Sequence, residues 1–329
     1  MKLDSVLRPP SAALSGRFFL VGHLPAFAAT VYLLVLVWAG APGPRLSFSD
    51  AWRTAGGLSV GELVLMLVTL TLLNLVLHPL QLSLVRLLEG YWPRWAAPLT
   101  RHCLGRQRRK EAAARSASRL PRDTPPDARS IHAAGVAMSH LRARYPGRPE
   151  ALRPTALGNA LAAMEDRAGT AYGWDTPVAW PRLYPLLGAG VRSVVDDRRD
   201  QLDVCCRVSA VAGVSALASV PLLATTDWWL ALTAAPLLLA WFAYSAAVRA
   251  AVSYGESVRV AFDLHRFDLY PALHIPVPDT PSTERTTNTA LSTFWRQGAP
   301  LTTPYEHPPP PPLLLPPQPP PPSPPPPGQ

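Results

Sequence analysis

Long apolar runs alternate with polar stretches along this chain, and the runs define its organisation. The first run covers residues 18–40, the second 60–88, and two shorter runs cover 208–224 and 228–252. Because a helix rises about 1.5 Å per residue, about 20 apolar residues cross a hydrocarbon core about 30 Å thick. The pattern therefore predicts four transmembrane helices, the last two forming a hairpin around a turn at 225–227.

Basic residues near the ends of these runs predict the orientation. Residues 1–17 and, above all, 89–130 are richer in arginine and lysine than the loop 41–59, and the final turn has no basic residue. Cytoplasmic loops are enriched in these residues, so both termini are predicted to lie in the cytoplasm of a bacterial cell, with the plasma membrane as location. A cleaved leader ending near Ala41 is the alternative for the first run, although that run exceeds the usual apolar core of a signal peptide.

The polar stretches are predicted to form helices, a linker and a tail, so the predicted fold class is all-α. Residues 89–130 are arginine-rich and broken by prolines, which is typical of a flexible basic linker, whereas 131–207 shows the periodicity of a small helical domain with Thr155 as an N-cap. Residues 253–277 are predicted to continue the fourth span as a helix. The proline-rich residues 278–329 predict a disordered tail in polyproline II conformation.

Composition narrows the function classes. The net charge is +9, but no aromatic platform accompanies the basic stretch, so nucleic-acid binding is not expected. The sequence has no P-loop, GxGxxG, HExxH or GxSxG motif, and no Cys/His set at zinc spacing. The acidic residues within 196–203 are interleaved with arginines and predict a solvated charged helix. No catalytic, metal-binding or cofactor-binding residue is therefore predicted.

Polar side chains inside the second span form the first candidate site. They recur at spacings of three, four and three on one helical face: Thr71, Asn74, His78 and Gln81. Polar residues within a bilayer are costly and often functional. Two interpretations stay open, a stripe of interhelical hydrogen bonds that stabilises the bundle and a proton or solute path. Paired haem ligation by His23 and His78 is too unspecific to predict a cofactor.

A basic cluster after the second span forms the second candidate site: Arg106, Arg108, Arg109 and Lys110. Beside a bilayer such a cluster binds anionic lipid headgroups with about 1 kcal/mol per basic residue. The alternative is a signal that only fixes the topology. The aromatic residues of the helical domain and the proline-rich tail suggest a protein partner, and the alternatives there are packing and a solvated spacer.

Several short motifs lie in the polar stretches: Pro154-Thr155-x-Leu157-Gly158-Asn159, Glu165, Tyr172-Gly173-x-Asp175, Trp180-Pro181-Arg182-Leu183 and Phe262-Asp263-Leu264-x-Arg266-Phe267-Asp268-Leu269. They resemble motifs of uncharacterised bacterial multi-pass membrane proteins with four spans. The resemblance covers residues 47–276 and implies the topology, without an activity.

The sequence thus predicts a non-enzymatic assembly or interaction protein at the cytoplasmic membrane face. The first alternative is a small transporter or channel subunit that uses the polar stripe of the second span. A membrane enzyme is the third possibility.

Overall fold

The fold, seen in a computed structural model, is built from helices. The structure describes residues 12–120 and 127–307, and within them all side chains except those of 12–23 and 73–82. No strand occurs in this part of the chain, which confirms the all-α prediction for it. The helices are α1 (Ala12–Trp38), α2 (Phe48–Gly56), α3 (Val60–Glu89), α4 (Ala97–Ala117), α5 (Ala128–Arg144), α6 (Ala156–Arg167), α7 (Thr176–Leu183), α8 (Ala189–Leu223), α9 (Ala234–His265), α10 (Leu269–Ala272) and α11 (Pro281–Gln297).

Helices α8 and α9 form a central hairpin and pack on each other more extensively than any other described pair. Most of their buried residues are small, which permits close approach: Ser209, Ala210, Ala212, Ser215, Ala216, Ala243, Ala247, Ala250 and Ala251. The Ser209 hydroxyl donates to the Ala240 carbonyl at 3.1 Å. With 35 residues, α8 extends about 50 Å. It therefore joins the predicted third span to the charged helix before it without a break.

Two of the described helical segments are long and apolar enough to cross a membrane, Ala189–Leu223 and Asp227–Ala272. A third span results if α2 and residues Val60–Leu72 of α3, which are bent by 109°, count as one. Helix α1 contributes only a shorter apolar segment, Leu24–Trp38. By length and composition the described residues support two to three spans, so the prediction of four goes beyond them.

The predicted external loop at 41–59 contains helix α2, an element that the sequence analysis did not anticipate. Ser47 caps α2, because its hydroxyl accepts a hydrogen bond from the Asp50 amide at 3.3 Å. Helix α3 begins with a capping box, in which the Ser59 hydroxyl accepts from the Glu62 amide and the Glu62 carboxylate accepts from the Ser59 amide. Both caps start helices, and the cap of α3 at Ser59 lies only three residues after α2 ends at Gly56, so the chain bends sharply between them.

A hydrophobic core lies beside the polar parts of α8 and α9, away from the apolar part of their hairpin. It is formed by α7, α10, α11, the polar parts of α8 and α9 and the segment before α7. Its fully buried large side chains come from all of them: Trp174, Leu183, Val195, Phe262, Leu269, Tyr270 and Leu291. The predicted domain at 131–207 therefore shares one core with residues 253–277. Thr155 caps α6 as predicted, since its hydroxyl accepts from the Gly158 amide at 3.1 Å.

The prediction of a disordered tail from residue 278 is wrong for α11. Thr280 caps this helix, with its hydroxyl accepting from the Thr283 amide at 3.2 Å. Leu291 is 1% exposed, and the Trp295 ring stacks on Trp174 with centroids 5.6 Å apart. Two apolar residues at a spacing of four thus anchor a helix whose other residues are mostly polar. The proline-rich residues 308–329 lie outside the described part.

The prediction of a flexible linker at 89–130 is also wrong over most of its length. Residues 97–117 form α4, which is rich in alanine and arginine, both good helix formers. Pro98 stands in the first turn, where a missing amide hydrogen is harmless. Large apolar residues are scarce in α4, which is typical of an exposed helix. In agreement, Gln107 is the one buried residue of α4.

Candidate functional site

The polar stripe of the second span falls largely outside the described side chains, which do not include Asn74, His78 and Gln81. Thr71 is described and exposed, and its hydroxyl donates to the Leu67 carbonyl of the same helix at 2.8 Å. This bond occupies the Thr71 hydroxyl within its own helix. The stripe as a bundle contact or solute path therefore stays a prediction.

The predicted headgroup-binding cluster lies on α4, and all four of its side chains are exposed. Because a helix turns once per about 3.6 residues, Arg106, Arg109 and Lys110 share one side of α4 while Arg108 lies on the other. None of the four forms an ion pair with another described residue. The cluster is contiguous in sequence, but the helix spreads its charges around the surface.

The motif that begins at Pro154 is a joint between the end of α3 and the start of α6. Gly90 ends α3 with a φ of +95°, and a Cβ there would meet Pro154 at 2.8 Å. Gly158 packs against the carbonyl oxygen of Glu89, which would lie 1.9 Å from an added Cβ. Asn159 is fully buried, and its side-chain oxygen accepts from the Arg153 amide at 2.6 Å. These residues fix the helical domain to the end of the second apolar run.

The motif at 262–269 anchors α11 to the domain. Arg266 donates to the buried Glu284 of α11 at 2.9 Å, and its guanidinium lies over the Tyr172 ring at 4.1 Å. The Tyr172 hydroxyl donates in turn to Asp263 at 2.7 Å. The His265 Nδ1 lies 2.7 Å from the Asp268 carboxylate, three residues further along the chain. This motif has a structural explanation.

Three carboxylates from separate helices line one cleft of about 340 Å³, which we call the acidic cleft. Glu89 ends α3, Glu165 belongs to α6, and Asp203 lies in the polar part of α8. Arg153 and Arg199 also line the cleft. None of the three carboxylates forms an ion pair with a described residue. The cleft thus combines unpaired acids with nearby cations where the domain meets the apolar helices.

Burial and mutual repulsion alter the acidity of the cleft. The pKa of Glu89 is raised, first by burial and then by the charges of Glu165 and Asp203. Burial also raises the pKa of Glu165 and of Asp203, while nearby arginines oppose the effect. Carboxyl groups of this kind hold their protons to a higher pH than carboxyl groups in water do. Among the described residues, no group of three or more His, Cys, Asp or Glu side chains is arranged to hold a metal ion.

A second cavity, of about 570 Å³, lies beside α11, and we call it the α11 cavity. Its walls include hydroxyl groups of Thr289, Ser292 and Thr293, and the ion pair between Arg296 and Asp175. Trp174 also lines it; this side chain is 2% exposed, and its Nε1 has no hydrogen-bond partner among the described residues. The cavity therefore offers a mixed surface of hydroxyls, charges and an indole.

Sequence reasoning missed both cavities. The residues of the acidic cleft are far apart in the chain, and the sequence analysis singles out Glu165 only as one of the motifs that carry the resemblance. Asp203 was grouped with the solvated acids of 196–203, of which Asp203 alone lines the cleft. One signal for the cleft was present in the sequence, because Glu89 directly follows the second apolar run.

Comparison with known proteins identifies no relative. No family model, curated protein or solved structure matches this chain. The resemblance to bacterial multi-pass membrane proteins stays a prediction, and a functional interpretation depends on the surfaces and cavities described above.

Proposed function

We propose that this chain is a multi-pass integral membrane protein with four spans, formed by the apolar parts of α1, α3, α8 and α9, with Glu89 just beyond the second span. Support comes from large apolar side chains that the fold leaves uncovered: Leu63, Val64, Leu65, Leu67, Val68, Leu72, Leu217, Leu237, Leu238, Trp241 and Phe242. Apolar surface of this extent requires a cover, and lipid provides it. The distribution of basic residues supports cytoplasmic termini in a plasma membrane.

Within the membrane the protein serves assembly or interaction through its cytoplasmic helical domain. The observation that carries this proposal is that α8 and α9 each run unbroken from the apolar hairpin into the domain, whose core contains Val195 and Phe262. A partner bound to the domain is thereby held at a fixed distance from the bilayer. The α11 cavity is the proposed contact surface, because a partner carbonyl inserted there would accept a hydrogen bond from Trp174.

The experiment is affinity capture of the full chain from mild detergent with a matched pair of variants. Thr289→Arg fills the α11 cavity from an exposed position on α11, whereas Thr286→Arg adds the same charge to an exposed position outside the cavity lining. We expect a specific partner to be captured by the natural chain and by the Thr286 variant, and to be lost with the Thr289 variant.

Circular dichroism and a melting curve verify that both variants remain folded. Capture of the same proteins in the same amounts by all three forms would refute the α11 cavity as the contact surface. If the natural chain captures no specific protein, the interaction proposal itself fails.

The acidic cleft favours a second function, that of a small proton-coupled transporter or channel subunit. The cleft contains carboxyl groups of raised pKa, and one of them, Glu89, lies at the end of α3, the helix that carries the predicted stripe around His78. In proteoliposomes this function predicts a flux that depends on a proton gradient and decreases in both Glu89→Gln and His78→Ala. Absence of such a flux from the natural protein would exclude it.

A further inference from the structure

A groove between α5 and α9 concentrates arginines that the proposed function does not use. Its volume is about 570 Å³. Small residues from both helices lie along it, among them Gly135, Ser139, Ala143 and Ser253. Four exposed arginines line the groove, and we call it the arginine groove: Arg142, Arg144, Arg249 and Arg259.

The charges in the arginine groove are not balanced. Glu256 is the one acidic residue of its lining, opposite the four arginines and His140. Neither Glu256 nor any of the four arginines forms an ion pair with another described residue. Guanidinium groups that line one groove without carboxylate partners give it a positive potential that attracts anions.

The surroundings of the groove add to its positive potential. Burial lowers the pKa of the nearby Arg167, and repulsion by Arg142, Arg115 and Arg259 lowers it further, although Asp166 opposes this effect. These arginines belong to α4, α5, α6 and α9, so four helices direct positive charge toward one region. A bound anion would relieve this repulsion.

The four arginines lie at different positions along the arginine groove, as the rise of the helices requires. On α9, Arg249 and Arg259 share a face with Glu256, and their ten-residue separation corresponds to about 15 Å. Arg142 and Arg144 stand on α5, the other wall of the groove. Planar guanidinium groups bind phosphoryl oxygens in pairs, so opposing walls of arginine suit a phosphoryl group better than a single carboxylate.

The position of the groove on α9 identifies the source of the phosphoryl group. Phe242 is 60% exposed and belongs to the uncovered apolar surface. Arg249 follows seven residues later, about 10 Å further along the helix, which is the level at which headgroups border the hydrocarbon. We propose that the arginine groove binds the phosphoryl group of an anionic membrane lipid.

This site differs from the basic cluster on α4. Arg108 and Arg109 lie on a helix whose charges spread around its surface, whereas the groove brings charges from two helices together. The proposal requires the membrane location proposed above but not a protein partner. Retention of the chain in neutral vesicles of phosphatidylcholine tests the location separately.

The test uses native mass spectrometry of the full-length protein from vesicles of phosphatidylcholine and phosphatidylglycerol. We expect selective retention of phosphatidylglycerol by the natural protein. The double variant Arg142→Gln/Arg249→Gln, which removes one arginine from each wall, should bind it about 30-fold more weakly, since each basic residue near a membrane contributes about 1 kcal/mol. The α4 variant Arg108→Gln/Arg109→Gln should change the affinity no more than about twofold if its charges act only through the general surface field.

Glu256→Gln provides an independent readout that does not depend on removing arginines. It removes the one negative charge of the lining, so phosphatidylglycerol should bind severalfold more tightly. Unchanged affinity in this variant, or undiminished binding in the Arg142/Arg249 variant, would overturn the proposal. Complete competition by inorganic phosphate at equal concentration would assign the site to free phosphate and overturn the lipid assignment.

Discussion

Gly158 is the residue on which the joint between α3 and α6 depends. An added Cβ would lie 1.9 Å from the carbonyl oxygen of Glu89 and 2.9 Å from the Cβ of Arg153. Both neighbours resist displacement, because one is backbone and the other is the first atom of a side chain. At this residue the approach of two helices, and not a turn, requires glycine.

Gly158→Ala should therefore lower the free energy of unfolding by about 1–3 kcal/mol through overpacking. Alanine ordinarily stabilises a helix interior by up to about 1 kcal/mol relative to glycine, so the expected sign is reversed. The matched control is Gly105→Ala in α4, where nothing lies within 4 Å of an added Cβ, and this change should be neutral or stabilising. Thermal unfolding in detergent, followed by circular dichroism, measures both. Similar effects of the two substitutions would show that the joint is loose.

Glu89 should make the free energy of unfolding of the protein depend on pH. Its pKa is raised in the folded protein by burial and by the charges of Glu165 and Asp203, so the folded state binds more protons than the unfolded state between the two pKa values. The free energy of unfolding should therefore fall as pH rises from the usual carboxyl range near about 4 to the raised pKa, and then level off.

Glu89→Gln should flatten this decline because it removes the titrating group. The measurement is the melting temperature as a function of pH, with Glu150→Gln, at an exposed position outside the cleft, as control. An identical pH profile for the natural protein and the Glu89 variant would contradict the assigned cause.

At the scale of elements, α11 shows that a composition typical of a disordered tail can prevent a helix from being predicted. Its proline and threonine content resembles that of the tail beyond it, yet Thr280 caps it and Leu291 and Trp295 lie four residues apart on the side that packs against the core. The apolar runs of α8 and α9 were readable because their signal is continuous in sequence. The packing of α11 on the core could not be predicted in this way, because it depends on contacts between residues far apart in sequence. Glu284 contacts Arg266, and Trp295 contacts Trp174.

Leu291→Ala should detach α11 from the domain. Leu291 is 1% exposed, so its truncation should lower stability by about 2–5 kcal/mol. Hydrogen exchange should increase across 281–297 while the contact between α8 and α9 stays protected. Phe294→Ala, at a residue that is 41% exposed, is the control and should have a much smaller effect. Equal exchange in the natural protein and the Leu291 variant would mean that α11 is held elsewhere.

At the scale of the whole molecule, the arrangement of cavities was beyond local sequence signals. The acidic cleft takes one carboxylate from each of α3, α6 and α8, and the arginine groove takes its charges from α5 and α9. A periodic pattern indicates which face of one helix is buried, but it does not indicate which helix lies opposite. The threading through a membrane is likewise a property of the whole chain and requires its own experiment.

The number of spans determines on which side α2 lies, and single-cysteine labelling distinguishes the possibilities. In a chain without its native cysteines, one cysteine each replaces Thr54 in α2, Ser116 in α4 and Thr286 in α11, all exposed positions. With four spans and cytoplasmic termini, a membrane-impermeant maleimide should label only the Thr54 variant in intact cells, and the other two only after permeabilisation. If α2 and the start of α3 formed a re-entrant segment from the cytoplasmic side, Thr54→Cys would behave like the other two variants. In that case the hairpin of α8 and α9 would be the membrane-spanning pair, and α1 and α3 would follow a different path relative to the bilayer.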